Sequence, residues 1–312
     1  FSDSNVIPEQ TASFVEKLGV RACLTKEIRD ACYKIYAPGE LYEFDSNMGS
    51  QSLQEGLEFF DRWNGCAGGR IKVFLGPQGA DFCSPELLAQ IQTLAKVRQT
   101  KIHMHVQQGS RETAQIMQRY GKRPIAWLNE IGYLNERLLA VHLTDANDDE
   151  VRQMACSGAS MIACPGSIGI IDGIVPPSVV FQDAGGIVAL GSDQAPGNNC
   201  HNMFNELVGS LRAGKRADFI AVDLTAPSMM PVYTAPMRNI VPNLVYSARG
   251  SEVSLVCVDG KLLLAGGKVL TADEPTIIAE AQACVPDLAA RAAKAFWEVN
   301  GTNAALMRED KL

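Results

Sequence analysis

Short apolar runs recur along the first two thirds of the chain, and between them apolar residues return every three or four positions. The runs Val20–Leu24, Ile71–Leu75, Lys101–Val106, Leu138–His142, Ser160–Cys164 and Gly186–Gly191 read as strands. The stretches Pro85–Arg98, Arg111–Tyr120 and Asp148–Ser157 read as amphipathic helices. Ser84 before Pro85 and Glu86 is a helix start: a hydroxyl accepts a free amide, a ring presets φ, and a carboxylate faces the positive end of the helix dipole. Strands alternating with helices predict parallel β/α architecture, because a parallel neighbour needs a long crossover. The expected fold is α/β, a (β/α)8 TIM-type barrel with a small β-sandwich appendage. Such a barrel carries its functional side chains at the C-terminal ends of the strands.

The texture changes after Gly209. Ala217–Leu224, Val253–Asp259 and Leu262–Leu264 are strand-like, with turns at Asp259-Gly260 and Gly266-Gly267. An alanine-rich helical tail is expected over Thr276–Asn300, broken near Pro286. The division expected is a barrel over residues 1–206 and the remainder of the sandwich with a C-terminal helix over 207–312.

Composition narrows the function classes. A chain of 312 residues, 46% hydrophobic, buries a large core. A net charge of −7 without a basic block argues against nucleic acid as a partner. No run of about 18 apolar residues predicts a membrane span, and no signal peptide is legible. Nine scattered cysteines, none spaced C-x-x-C, suit reduced thiols of a cytoplasmic protein better than a disulfide framework. The expected partners are a small-molecule substrate and further copies of the chain in a homo-oligomer.

Candidate chemistry lies with the four histidines, His103, His105, His142 and His201. His103 and His105 alternate along one strand and so share a face. His142 ends its strand, and Asp193 follows the run Ile187–Leu190. Imidazoles and a carboxylate at neighbouring strand ends suit one divalent cation, zinc, cobalt, iron or manganese, and spacing does not choose among these. Hydrogen-bonded core histidines are the competing reading. Cys200 and His201 read as ordinary loop positions, Gly166-Ser167-Ile168-Gly169 as a substrate-lining loop, and Trp63, Trp127 and Trp297 as packing residues.

The segments His103–Val106, Ala140–Thr144 and Gly191–Asn199 resemble the strand-5, strand-6 and strand-8 motifs of the amidohydrolase superfamily, and Gly209–Phe219 resembles its exit from barrel to sandwich. The branch resembled is that of s-triazine hydrolases and methylthioadenosine/S-adenosylhomocysteine deaminases. The resemblance implies that His105 (with His103 as alternative), His142 and Asp193 bind metal or act in catalysis. It also implies Gln108, Asn198 and Asn199 as substrate contacts.

Three departures follow. The family's opening sandwich strands and His-x-His strand have no counterpart, and Phe1–Asn5 reads as the end of a second strand, so the N-terminal part of the barrel is expected to be missing. Asn205-Glu206 runs directly into Leu207–Ser210 where the family has a long helical stretch. Gln108 stands where deaminases of this branch carry Glu, and a neutral amide is no general acid or base near pH 7. Asp145 and Asp193 are the carboxylates that can serve instead.

Lys72, inside the apolar run Ile71–Leu75, has two readings. It resembles the carboxylated lysine that bridges two metals in dipeptidase-like members of the superfamily, or it is a lysine at the strand's bottom edge reaching water. The metal complement expected is one or two ions. With Gln108 and Lys72 in place, the sequence favours metal-assisted hydrolysis of a C–N or C–S bond in an amide, urea, carbamate or thiocarbamate, as in the molinate and phenylurea hydrolases. Asp193 would serve as proton acceptor and donor, and His142 as ligand or polarising group. The alternatives are a deaminase or dechlorinase of an N-heterocycle (triazine, purine or pterin) and a metal-free binding module.

Overall fold

The computed structural model describes residues 2–5, 8–37, 39–171, 173–193, 218–236, 239–240, 243–244, 247–299 and 307. They fall into two compact units, Phe1–Gly267 and Lys268–Leu312. In the first, seven strands form one sheet in chain order: β1 (Ser2–Asn5), β2 (Ala22–Ile28), β3 (Ile71–Pro77), β4 (Ile102–Val106), β5 (Leu138–His142), β6 (Ser160–Ala163) and β7 (Ile187–Leu190). Every pairing is parallel and joins strands consecutive in sequence. That is the sequential winding of a TIM-type barrel. Ser2–Asn5 is a strand although polar throughout, because its backbone pairs with Cys23–Lys26. β2 outruns its apolar segment for the same reason: its ladder with β3 continues through Thr25, Lys26 and Glu27 to Ile28.

The connecting helices are α1 (Pro8–Leu18), α2 (Ser46–Trp63), the single turn α3 (Cys66–Gly69), α4 (Pro85–Val97), α5 (Ser110–Tyr120), α6 (Pro124–Glu130), α7 (Asp148–Cys156), α8 (Pro165–Ile171) and α9 (Ser178–Asp183). Alternate strand residues pack beneath them. Ile102, Met104 and Val106 join one cluster with Leu88 and Ile91 of α4 and Ile116 of α5. Leu24, Ile71 and Val73 join another with Phe59 and Phe60 of α2 and Val15 of α1. Burying each large aliphatic side chain contributes about 1.5–3 kcal/mol, so the helix-facing file of β4 is fixed by Ile102, Met104 and Val106, and His103 and His105 fall on the other file.

Caps set where the helices begin. Ser84 accepts from the Leu87 amide ahead of Pro85, as expected from the sequence. Asn147 and Glu150 form a reciprocal capping box on α7. Asp30, just after β2, is buried and accepts from the amide (2.8 Å) and the hydroxyl of Ser84, tying the end of β2 to the start of α4.

The strands β8 (Phe219–Val222), β9 (Val253–Val258) and β10 (Lys261–Ala265) pair antiparallel, as expected of a β-rich appendage. Asp259 and Gly260, both at positive φ (55° and 75°), turn β9 into β10. Arg21, before β2, pairs with Asp218 and Asp259 and links appendage to barrel. The second unit contains the helix Glu274–Val299, which runs unbroken through Pro286. The expected break is therefore corrected: one missing N–H is outweighed by the strong helix formers on either side, among them Ala281, Ala283, Ala289 and Ala290. The boundary expected at 206/207 lies outside the described residues. No described helix is long and apolar enough to cross a membrane.

Asp30→Ala removes both acceptors of Ser84 and leaves a buried amide unpaired. Chemical denaturation at pH 7 should show a loss of about 1–3 kcal/mol.

Candidate active site

The C-terminal ends of β4, β5 and β7 bring together three of the side chains singled out from the sequence. His105 is the penultimate residue of β4 and bridges to Gly79 beyond β3. Its Nδ1 lies 2.6 Å from the Gln78 carbonyl oxygen. A carbonyl only accepts, so Nδ1 is the donor, and of the two neutral tautomers this contact selects the one that leaves Nε2 free for a metal. His142 ends β5, is 1% exposed, and has no hydrogen-bond partner on either ring nitrogen among the described residues. Burial, helped by the nearby His105, lowers its pKa to about 4 against the pull of Asp193. The ring is therefore neutral near pH 7, with a lone pair available. The His105 and His142 rings lie 5.4 Å apart at 18°.

Asp193 follows β7. Its Oδ2 accepts from the Ser167 hydroxyl at 2.6 Å and stands 4.0 Å from His142 Nε2, beyond hydrogen-bond range. The backbone is strained around this group: Gln107, His142, Leu143 and Asp193 all adopt positive φ, between 50° and 79°. Such conformations in residues with a side chain cost energy and gather at functional sites.

His103 lies one alternation deeper on β4, buried, with its Nδ1 unpartnered. Burial, with His105 and His142 nearby, pushes its pKa down to about 3. Among the described residues no three His, Cys, Asp or Glu side chains close into a metal-holding group. The fit to a cation rests on chemistry: neutral imidazoles, one with both nitrogens unpartnered, beside a carboxylate are the donors a divalent transition metal takes.

Lys72 does not join this group, and the bridging-lysine reading is corrected. It is the second residue of β3, exposed, at the N-terminal end of the sheet. Register places Leu75 beside Ile102, so Lys72 lies three residues below Ile102 and six below the level of His105. At about 3.3 Å per residue that is roughly 20 Å along the strands, and its ammonium reaches water instead.

Gln107 is fully buried; its side-chain amide donates to the Asp145 carbonyl and to Glu150, both at 3.1 Å, clasping the ends of β4 and β5. Gln108 is anchored through its backbone amide, which donates to Glu112 at 3.1 Å. Asp145, a candidate to replace the missing strand-5 carboxylate, is held by the Thr113 hydroxyl at 2.6 Å and faces Arg123 at 3.7 Å. Asn198, Asn199, Cys200 and His201 lie outside the described residues.

Sequence reasoning did not single out Gln78, whose carbonyl meets His105, or Glu112, which accepts from the Gln108 amide. Ser167 is corrected from a substrate-lining loop to a fully buried donor on α8. Its position shortly after β6 was the available signal. Gln78 acts through its backbone carbonyl, which no residue type announces.

The amidohydrolase family model matches residues 12–208. A 5'-deoxyadenosine deaminase of Methanosarcina mazei is 28% identical over 328 residues, covering 93% of this chain and 72% of its own length. A 5-methylthioadenosine/S-adenosylhomocysteine deaminase of Pelotomaculum thermopropionicum is 28% identical over 321 residues, covering 90% and 70%. The crystal structure of atrazine chlorohydrolase from Arthrobacter aurescens TC1 complexed with zinc superposes with a TM-score of 0.79 at 17% identity, covering 91% of this chain and 72% of that one. With the sequential parallel sheet, the separate antiparallel strands and the family match over more than half its length, the chain belongs to the amidohydrolase family, hydrolases built on the TIM-type barrel.

Proposed function

We propose that this amidohydrolase uses a single divalent cation to hydrolyse the exocyclic C–N bond of an aminated N-heterocycle of the nucleoside or triazine kind. The observation that carries this reading is the trio at the strand ends: His105 turned by the Gln78 carbonyl, His142 neutral and unpartnered, and Asp193 beside it. The deaminase names of the relatives and the zinc in the atrazine chlorohydrolase point the same way.

His105, His142 and Asp193 would hold the cation, which when bound lets a water give up its proton near neutral pH. Asp193, oriented by Ser167, would accept a proton from the attacking water and deliver it to the leaving nitrogen. His142, kept neutral by burial, is never a competing cation in the site. Gln108 offers a donor and an acceptor to a heterocycle edge but exchanges no proton. Asn198 and Asn199 are substrate contacts on the sequence resemblance alone.

Gln108 also favours a second reading, hydrolysis of an amide, urea, carbamate or thiocarbamate, which needs no carboxylate at that position. The sequence ranked this reading first; the relatives reverse the order.

A panel of aminated purines, pterins and triazines set against ureas and thiocarbamates decides between the two. Ammonia release from the heterocycles alone is expected; amine or thiol release from the other set alone would overturn the first reading. Asp193→Asn should keep the fold and most of the metal while turnover falls by about 10² or more; near-normal turnover in the metal-loaded variant removes Asp193 from its role. Elemental analysis should find one metal per chain, lost in His105→Ala and retained in His103→Ala and Lys72→Ala. Two metals per chain that fall to one in Lys72→Ala would restore the bridging lysine.

A further inference from the structure

Gln107, which the proposed chemistry does not use, gathers three energetic costs at one position. It adopts φ 50°, a region that side chains disfavour and glycine enters freely. Its amide group is wholly removed from water. Its Oε1 has no hydrogen-bond partner among the described residues, although buried polar atoms are nearly always paired. A glycine would relieve the first cost and an apolar side chain the other two, so stability alone does not call for a glutamine here. Costs of this kind persist where they serve a geometry that function needs.

The geometry is a clasp between the loops that follow β4 and β5. Gln107 Nε2 uses both of its protons, one on the Asp145 carbonyl and one on Glu150 Oε2, each at 3.1 Å. Both neighbours only accept, which fixes the orientation of the amide. In return the Asp145 amide donates to the Gln107 carbonyl at 2.9 Å and closes a ring. Glu150, in the first turn of α7, is the hub. Its carboxylate also accepts from Nε and Nη2 of Arg123, just before α6, at 2.8 and 3.0 Å, and from the Asn147 amide at 3.0 Å. Arg123 donates to the Asp145 carbonyl as well, at 2.6 Å. Next to the ring, the amide of Leu143, itself at φ 56°, donates to the Val106 carbonyl at 3.1 Å. On its far side the turn into α5 is tied by the Gln108 amide on Glu112 and by Arg111, whose Nε lies 3.2 Å from Oδ2 of Asp81 in the loop after β3. Gln108 therefore leaves the strand between two anchored points.

We propose that Gln107 is a positioning residue for Gln108, and that Glu150 acts through Gln107 to hold it there. The clasp fixes the left-handed turn at Gln107, and that turn sets where the Gln108 side chain stands relative to His142 at the end of β5. A substrate edge is recognised only where its donor and acceptor meet theirs, so a turn free to relax weakens binding before it touches the chemistry. The positioning half rests on Gln108 being a substrate contact, as in the proposed function; the clasp does not.

Three variants of the whole chain test this. Gln107→Leu keeps the buried volume and removes the donor. Glu150→Ala keeps Gln107 and removes its anchor, while Glu150→Gln keeps an acceptor for it. In Gln107→Leu the Gln108 and Asp145 amides should exchange with solvent about tenfold faster than in the wild type, with amides inside β4 and β5 unchanged. With the compound of the panel that turns over fastest, KM should rise about tenfold in Gln107→Leu and in Glu150→Ala, kcat should change less than about threefold, and Glu150→Gln should recover most of the loss. Unchanged exchange at Gln108 and Asp145 overturns the clasp. A fall in kcat at constant KM, which a smaller folded fraction alone produces, overturns the positioning role, as does a Glu150→Gln as impaired as Glu150→Ala. Should Gln107→Leu not fold, the two Glu150 variants carry the same comparison. If no compound of the panel turns over, the proposed function fails and amide exchange still decides the clasp.

Discussion

Parallel pairing of consecutive strands forces every strand to end at the same edge of the sheet, and the period of two along each strand forces alternate side chains to opposite faces. Nearly everything at the candidate site descends from these two constraints. Ile102, Met104 and Val106 are held under α4 and α5 by the hydrophobic core, so His103 and His105 have no choice of face. β5 and β7 run in the same direction, so His142 and Asp193 arrive at the same edge. A register slip of one residue in β4 would bury the imidazoles among Leu88, Ile91 and Ile116 and expose three large apolar side chains. The aliphatic packing therefore specifies the face that carries the candidate site without touching it.

Desolvation then decides the chemistry of the groups delivered there. The same burial pushes imidazole and carboxyl groups in opposite directions. His103 and His142 are driven towards the neutral base, the form with a lone pair to give. Glu112 is driven towards the neutral acid. Asp193 is oriented by the hydrogen bond that it accepts from the Ser167 hydroxyl. Positive φ at His142, Leu143 and Asp193 shows that the chain accepts local strain to aim these residues, and the core on the opposite face offsets it.

Much of this was legible in the residue order. Six strands of the sheet, the start of α4, the β-rich appendage, and the candidacy of His105, His142 and Asp193 follow from hydrophobic period, capping residues and position at strand ends. One expectation failed, and one of two open readings fell away, for physical reasons of one kind. Pro286 lies within a helix because its neighbours sustain what it locally disfavours. Lys72 lies within an apolar run and sits at the bottom of the sheet, the second of its two readings, which the sequence could not choose because a run of alternating residues does not say which end of the strand faces the site.

Local interactions, periodic or between near neighbours, are written into the sequence, and they determined the β/α alternation, the face shared by His103 and His105, and the shortage of a carboxylate at Gln108. Contacts between residues far apart in the chain were decided only in the folded state. The Gln78 carbonyl that sets the tautomer of His105 comes from 27 positions away, Ser167 reaches Asp193 across 26, and Asp81 meets Arg111 from a different loop. Each depends on strand register and on how far burial excludes water, quantities that belong to the assembled core and to no segment of it.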